Sequence, residues 1–294
     1  MSESNPASKP LPDSGPRLVP PGDYRDVNRA YWNDRAPAHA ASAGYSVQRF
    51  VDDATFLSDV VRFDVPRLGD ISGLTGIHLQ CHIGTDTISL ARLGARMTGL
   101  DLSGASIGQA RNIAARAQPE VIFVEGEVYA APQLLANATF DLVYTGIGAL
   151  CWLPDIRRWA GVVQALLKPG GRLFIREGHP VLWALDDTRT DDLLVMGFPY
   201  FETAEALASD EDSTYVPVDR PFEATRNLSW NHGIGEIVTA LLDAGLQLTM
   251  LVEHETVPWT ALPGRMVDTG HGEWALTDRR WRAPMTYTLQ AVKR

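Results

Sequence analysis

Residues 77–103, IHLQCHIGTDTISLARLGARMTGLDLS, set a glycine-containing turn and a downstream acid at the spacing with which a chain can hold a nucleoside. Residues 76–80 read as a short apolar strand, and His82-Ile83-Gly84-Thr85-Asp86 as a tight turn. Apolar residues then recur at Ile88, Leu90, Ala91 and Leu93, a helical spacing that stops at Gly94. Residues 97–100 form a second short strand, with Asp101 at its carboxyl end. In doubly wound sheets, ligands bind outside the carboxyl ends of the strands. An acid roughly 15–20 residues beyond such a turn accepts hydrogen bonds from the two ribose hydroxyls of a nucleoside.

Other segments narrow the choice of nucleoside. Phe140-Asp141-Leu142-Val143-Tyr144-Thr145-Gly146 resembles the fourth strand of class I S-adenosylmethionine-dependent methyltransferases. Leu166-Leu167-Lys168-Pro169-Gly170-Gly171 resembles the same family's turn into its fifth strand. VIFVEGE at 121–127 resembles the third strand, after which an acid contacts the adenine amine. The resemblance covers residues 70–180 well and 234–294 loosely. It implies a doubly wound, mostly parallel seven-stranded sheet with an antiparallel terminal strand, a Rossmann-like α/β fold. It implies S-adenosyl-L-methionine as cofactor and a small-molecule methyl acceptor.

The resemblance also assigns contacts. Gly84 allows close backbone approach, and Asp101 holds the ribose hydroxyls with Leu102 and Ser103 beside the adenine. Glu127 and Val128 meet the adenine edge. Thr145 and Gly146 lie near the methionine part. The first loop departs from the family's acid and G-x-G-x-G. With Gln80 at the acid position, the glycine positions hold His82, Gly84 and Asp86, so only the central glycine is kept. The loop is similar to the CHxGxDT loop of a subgroup of small-molecule methyltransferases. Around Thr85, Asp86 can receive the cofactor's ammonium and Thr87 can cap the next helix. The alternative is that His82 and Asp86 only brace the turn.

Composition bounds the partners. The chain has 294 residues, 45% apolar and 21% charged, which is ample for a packed core. A net charge of -10 without a lysine or arginine cluster argues against nucleic acid and anionic membranes as partners. The two cysteines, Cys81 and Cys151, both fall in segments expected near the cofactor, which argues against a disulfide framework. No apolar run spans a bilayer and no signal sequence opens the chain, so a cytoplasmic location is expected. No histidine, cysteine or acid set has zinc-like spacing, so no metal is expected.

The elements that position the site follow from patterning. Residues 1–22, rich in serine and proline, read as a flexible tail. Residues 23–70 read as an N-terminal helical lid, with helices over 23–35 and 50–65 and a stop at Pro66; packing on the sheet's flank is the alternative. Residues 71–180 alternate strand and helix as a cofactor-binding core. Residues 181–233 form a substrate-cap insertion rich in aromatics. Residues 234–294 complete the sheet, with a loop insertion at about 260–283. Long insertions of this kind are usually lids or binding loops.

Methyl transfer is an in-line displacement from a sulfonium, so alignment is the main work and no acid is needed. A base matters only where the acceptor must lose a proton. His179 and His232 are the candidates, since imidazole titrates near neutrality. Tyr31, Trp32, Trp152, Trp183 and Trp230 are candidate walls for a planar or hydrophobic acceptor, methylated at O or N. Competing readings are a catalytically silent cofactor binder of the same fold and a nicotinamide-dependent oxidoreductase. A homodimer is compatible with the sequence.

Overall fold

The computed structural model describes residues 17–117, 120–218 and 220–294. Its centre is one sheet of seven strands. These are β1 (Thr75–Leu79), β2 (Arg96–Asp101), β3 (Val121–Glu125), β4 (Phe140–Thr145), β5 (Leu167–Gly178), β6 (Leu246–His254) and β7 (Thr286–Lys293). Their order is β3-β2-β1-β4-β5-β7-β6. The first five pair in parallel, while β7 runs antiparallel to β5 and β6. The sheet is therefore the mostly parallel, Rossmann-like one expected. Central strands in such a sheet are covered on both faces and read as apolar runs. Accordingly Ile77, Leu79, Leu142 and Val143 are fully buried.

Helices α1 (Tyr24–Ala41), α2 (Val47–Asp52), α3 (Asp59–Leu68), α4 (Thr85–Arg92), α5 (Gly104–Ala117), α6 (Ile156–Leu166) and α7 (Ile234–Asp243) flank the sheet. Shorter helical turns at Ala131–Leu134 and Pro180–Ala184 follow β3 and β5. Trp159 of α6 is fully buried in the largest apolar cluster, with Ile77, Val143, Leu173 and Leu289. At the amino ends of the strands, Asp141 accepts from Thr75 N at 2.8 Å and Thr75 Oγ1 at 2.6 Å, and from Lys168 Nζ at 2.9 Å. The Thr75 bonds, then Lys168, hold its carboxyl down to about 2. The lysine of the LKPGG turn thus ties β1, β4 and β5 together at their starts.

The N-terminal region differs from expectation in three ways. Residues 1–16 of the expected tail lie outside the described residues, and Arg17–Val19 is not tail but strand, antiparallel to Ala206–Asp210. Helix α1 continues past Arg35, through Pro37, to Ala41. Its last turns are held by packing, with Arg35, Ala36 and His39 all fully buried, and tertiary burial overrides the local cost of proline. The expected helix over 50–65 is split. Asp53 turns the chain by accepting from Thr55 N, and Ser58 caps α3 by accepting from Val61 N, so the break comes before Pro66 rather than at it.

The insertion after β5 is not a free loop. Ala206–Asp210 and Arg226–Ser229 join Arg17–Val19 in a three-stranded antiparallel sheet beside α1. Asn28 of α1 donates to Leu228 O at 2.8 Å and accepts from Leu228 N at 2.9 Å. Arg35 stacks 3.4 Å from the Tyr31 ring centre and donates to the carbonyls of Glu211 and Ala224. The later insertion folds as a second small sheet, Thr256–Val257, Glu273–Leu276 and Met266–Gly270, pinned by a buried bidentate pair between Arg176 and Glu273. Among the described residues no helix is long and apolar enough to cross a membrane.

The Asn28 amide is the exchange point between α1 and the insertion. Asn28→Ala leaves two buried backbone groups of Leu228 unpaired, which should cost about 2 kcal/mol. Calorimetry should then find a melting temperature lower by roughly 5 °C; an unchanged melting temperature would detach α1 from the insertion.

Candidate active site

The first loop is built by backbone conformation rather than by glycine. Gln80, His82 and Gly84 all have positive φ, at 58°, 49° and 77°. Left-handed residues are where a glycine loop needs its glycines. These left-handed positions, Gln80, His82 and Gly84, run two residues earlier than the expected glycine positions 82, 84 and 86, a register that would set His78 where an acid was expected. Asp86 is not a glycine position at all, since it lies in the first turn of α4. The kept glycine is the last one. A Cβ on Gly84 would come within 2.7 Å of the Phe123 ring and 2.8 Å of Ala110 Cβ. Close packing against Phe123 and Ala110, together with its positive φ, favours glycine there.

The loop is fixed from both sides. Asp101 accepts from His82 N and from Ser103 N, each at 2.8 Å. Burial pushes its carboxyl up to about 6, against the pull of those two N–H groups. Gln80 Nε2 donates to Ala149 O at 2.8 Å, across to the loop after β4. Ser103 Oγ donates to Asn33 Oδ1 of α1 at 2.8 Å, beside Leu102. Glu127 follows β3 and faces the Tyr24 hydroxyl of α1 at 3.4 Å. Val128, expected at the adenine edge, is 3% exposed and packs in the main core instead. Thr87 does not cap α4; its hydroxyl meets His78 Nδ1 at 2.9 Å, and Thr85 is buried at the helix start.

His78 was not singled out by sequence, and only the shifted register would have found it. Its Nε2 is buried and has no partner. The space where Gly146 lacks a side chain is bounded by His78 Nε2 at 3.2 Å and Asp86 Oδ2 at 3.6 Å. Thr145 Oγ1 and Gln80 Oε1 nearby are also buried and unpartnered. Burial lowers His78 to about 3 and raises Asp86. The end of β4 thus gathers buried polar atoms that lack protein partners, of the kind an amino-acid moiety could engage.

Glu177, at the end of β5, was also missed, and no local signal marks it. Its buried carboxylate accepts from the backbone N–H groups of Gly148, Ala149, Leu150 and Gly178 at 2.6–2.9 Å. These four bonds fold the loop that carries Trp152, whose Nε1 donates to Gly148 O at 2.7 Å.

Neither expected base is free. His179 Nδ1 accepts from Val181 N at 3.1 Å, so Nε2 carries the proton and donates to Glu253 at 2.8 Å. His232 Nε2 faces the carbonyls of Leu150 and Leu153 at 3.1 and 2.9 Å, and its Nδ1 faces the Glu202 carboxylate at 2.8 Å. Both ring nitrogens of His232 are thus engaged by protein oxygens. With no lone pair open, both histidines position backbone, and their reading as general bases is corrected.

Three of the five expected aromatic walls converge. Trp32 meets Trp152 with centroids 5.2 Å apart, and Tyr31 meets Trp152 at 5.9 Å. Trp230 packs edge-on against Tyr24 at 5.4 Å, while Trp183 stands apart, stacked on Trp259 at 5.6 Å. Helix α1 meets the loop through histidines: His39 Nδ1 lies 2.8 Å from His82 Nε2, and His39 Nε2 lies 2.8 Å from Thr214 Oγ1. His82 Nδ1 reaches Ser106 Oγ at 3.1 Å, and the Tyr45 and Tyr215 hydroxyls bond to each other beside His39. Among the described residues no group of three or more histidines, cysteines or acids is placed to hold a metal.

The histidine contact sets a pH dependence. Burial, then the charge of Arg35, lowers His39 from 6.5 to about 4. The unfolded chain therefore takes this proton first as the pH falls. The stabilisation is complete above about 6.5 and is lost between 6.5 and 4. His39→Gln removes this titration. Thermal melts of the parent should lose on the order of 2 kcal/mol more than the variant across that window; equal slopes would take His39 out of the linkage.

Comparison with known proteins follows the same lines. Residues 77–173 match the family model of a methyltransferase domain. A sequence search of curated proteins gives no match. The fold is similar to a putative S-adenosylmethionine-dependent methyltransferase from Listeria monocytogenes, at TM-score 0.58 and 18% identity over 80% of this chain and 97% of that one. It is similar to magnesium protoporphyrin IX methyltransferase from Synechocystis PCC 6803, solved with bound S-adenosylhomocysteine, at TM-score 0.52 and 17% identity over 92% and 100%. The glycopeptide N-methyltransferase MtfA complexed with S-adenosylmethionine matches at TM-score 0.50 and 17% identity over 79% and 92%. Residues 77–173 thus match a methyltransferase-domain model, and the fold around them is similar to that of S-adenosylmethionine-dependent methyltransferases.

Proposed function

We propose that the chain transfers a methyl group from S-adenosylmethionine to oxygen or nitrogen of a small molecule. The observation that carries this reading is the set of buried, unpartnered polar atoms at the end of β4. His78 Nε2, Thr145 Oγ1 and Gln80 Oε1 are buried without partners there, beside the Asp86 carboxylate. Asp86 and His78 would hold the amino-acid end. Asp101 keeps lone pairs beyond those used by His82 N and Ser103 N, and these would accept from the ribose hydroxyls. Glu127 would meet the adenine amine. S-adenosylmethionine, when bound, supplies a methyl on a sulfonium whose departure needs no acid.

The residues of this chain then have one main task, alignment. Tyr31, Trp32 and Trp152 would wall the space next to Thr145 and Gly146 and keep water out. With His179 and His232 both committed to backbone, the site favours an acceptor that reacts without a histidine base. The antiparallel β7 speaks against the nicotinamide reading, because a dinucleotide-binding sheet continues in parallel. The left-handed Gln80 and His82 speak against a collapsed cofactor loop.

Asp101→Asn should weaken S-adenosylhomocysteine binding roughly tenfold or more in isothermal titration, with no binding of NAD to either form. Undiminished affinity would remove Asp101 from the site. Absence of binding to the parent would end the methyltransferase reading.

A further inference from the structure

Beneath the insertion that leaves β5 lies a narrow cavity, between the loop after β4 and the start of α7. Leu150, Cys151, Glu177, Trp183, Trp230 and Tyr287 are among its lining. A second hollow adjoins it and shares Trp183, Trp230 and Asn231. Counting space open to solvent, their empty volumes are ≈ 200 and ≈ 320 Å³. The inner one is tight enough to admit only a single small polar group.

Two donors in this lining lack any partner: the Tyr287 hydroxyl and Trp230 Nε1–H. Tyr287 is 0% and Trp230 3% exposed, so bulk water does not serve them. A buried donor without an acceptor is a standing cost, and such groups in native structures call for an explanation. Glu177 cannot supply the acceptor, because its two oxygens already take four backbone N–H groups. Its charge also works against a second anion in the same space. An ammonium group brings only donors, which leaves both orphan N–H and O–H hydrogens unmatched. What fits is a neutral oxygen with lone pairs, carried on a flat body seated in the adjoining hollow beside Phe198, Leu207 and Trp230.

We propose that the methyl acceptor is a neutral planar molecule with a carbonyl or phenolic oxygen, and that this oxygen is recognised by the Tyr287 hydroxyl and Trp230 Nε1–H. The proposal rests on the methyltransferase reading and names the substrate class for it. Tyr287 and Trp230 are then specificity residues, anchoring the molecule at the carboxyl end of β5.

Three probes of one ring size separate the possibilities: acetophenone, benzoate and benzylamine. Each is titrated into the full chain saturated with S-adenosylhomocysteine and followed by ligand-observed NMR. Acetophenone should bind roughly tenfold more tightly than either charged probe. Tyr287→Phe and Trp230→Phe should each weaken it by roughly fivefold. Tyr287→Phe without ligand should melt no lower than the parent, since the hydroxyl has no protein partner to lose. Equal binding of benzylamine or benzoate overturns the proposal. So does acetophenone binding that neither substitution moves, which would assign the two donors to a structural water. Binding of S-adenosylhomocysteine with no binding of any probe overturns it while leaving the methyltransferase reading standing. Failure of S-adenosylhomocysteine itself to bind overturns both.

Discussion

The backbone N–H groups of Gly148, Ala149, Leu150 and Gly178 converge on one buried carboxylate, that of Glu177. Burial makes its charge costly, and the four N–H groups are what offset that cost. Much else hangs from the loop so formed. Gln80 of the cofactor loop donates to Ala149 O, His232 to the carbonyls of Leu150 and Leu153, and Trp230 N to Cys151 O. Without Glu177 the loop would have three unpaired donors, and Gly178 a fourth, with no reason for the loop to keep its shape. The first loop, the aromatic wall and the insertion would then lose their common reference.

A second constraint joins the lid to the insertion. Asn28, Asp34 and Arg35 all lie on α1, and all three bond to the backbone of residues 211–228. Helix and insertion thus move as one body or not at all. Their polar contacts with the central sheet's loops include His39, Asn33 and Tyr24, each facing a residue of the expected cofactor site. Helix α1 is therefore no separate flap, because its side chains complete the hydrogen bonding of the loop beneath it.

The sheet was legible in the sequence because each strand is a short apolar run set off by turns, and the LKPGG turn fixes where β5 begins. Asp101 was legible for the same reason, as the last residue of a run. The glycine register was not, because positive φ at Gln80 and His82 is a backbone property that side-chain identity hides. The two histidines misled for another reason. Their partners, Glu253 and Glu202, lie 74 and 30 residues away, so commitment of their lone pairs is a tertiary fact. The strands of the insertion escaped notice because their pairing with Arg17–Val19 is equally remote in sequence.

The left-handed residues at 80 and 82 carry one more consequence. Glutamine and histidine have far fewer backbone states than glycine in an unfolded or loosened chain, so the loop loses less disorder when it takes its final shape. Each residue holds some strain in return, of order 1 kcal/mol. A ligand arriving at a glycine-rich loop must freeze it, whereas one arriving here meets a rigid socket and spends its contacts on affinity instead. The chain has traded suppleness for preorganisation at the point where its cofactor would dock.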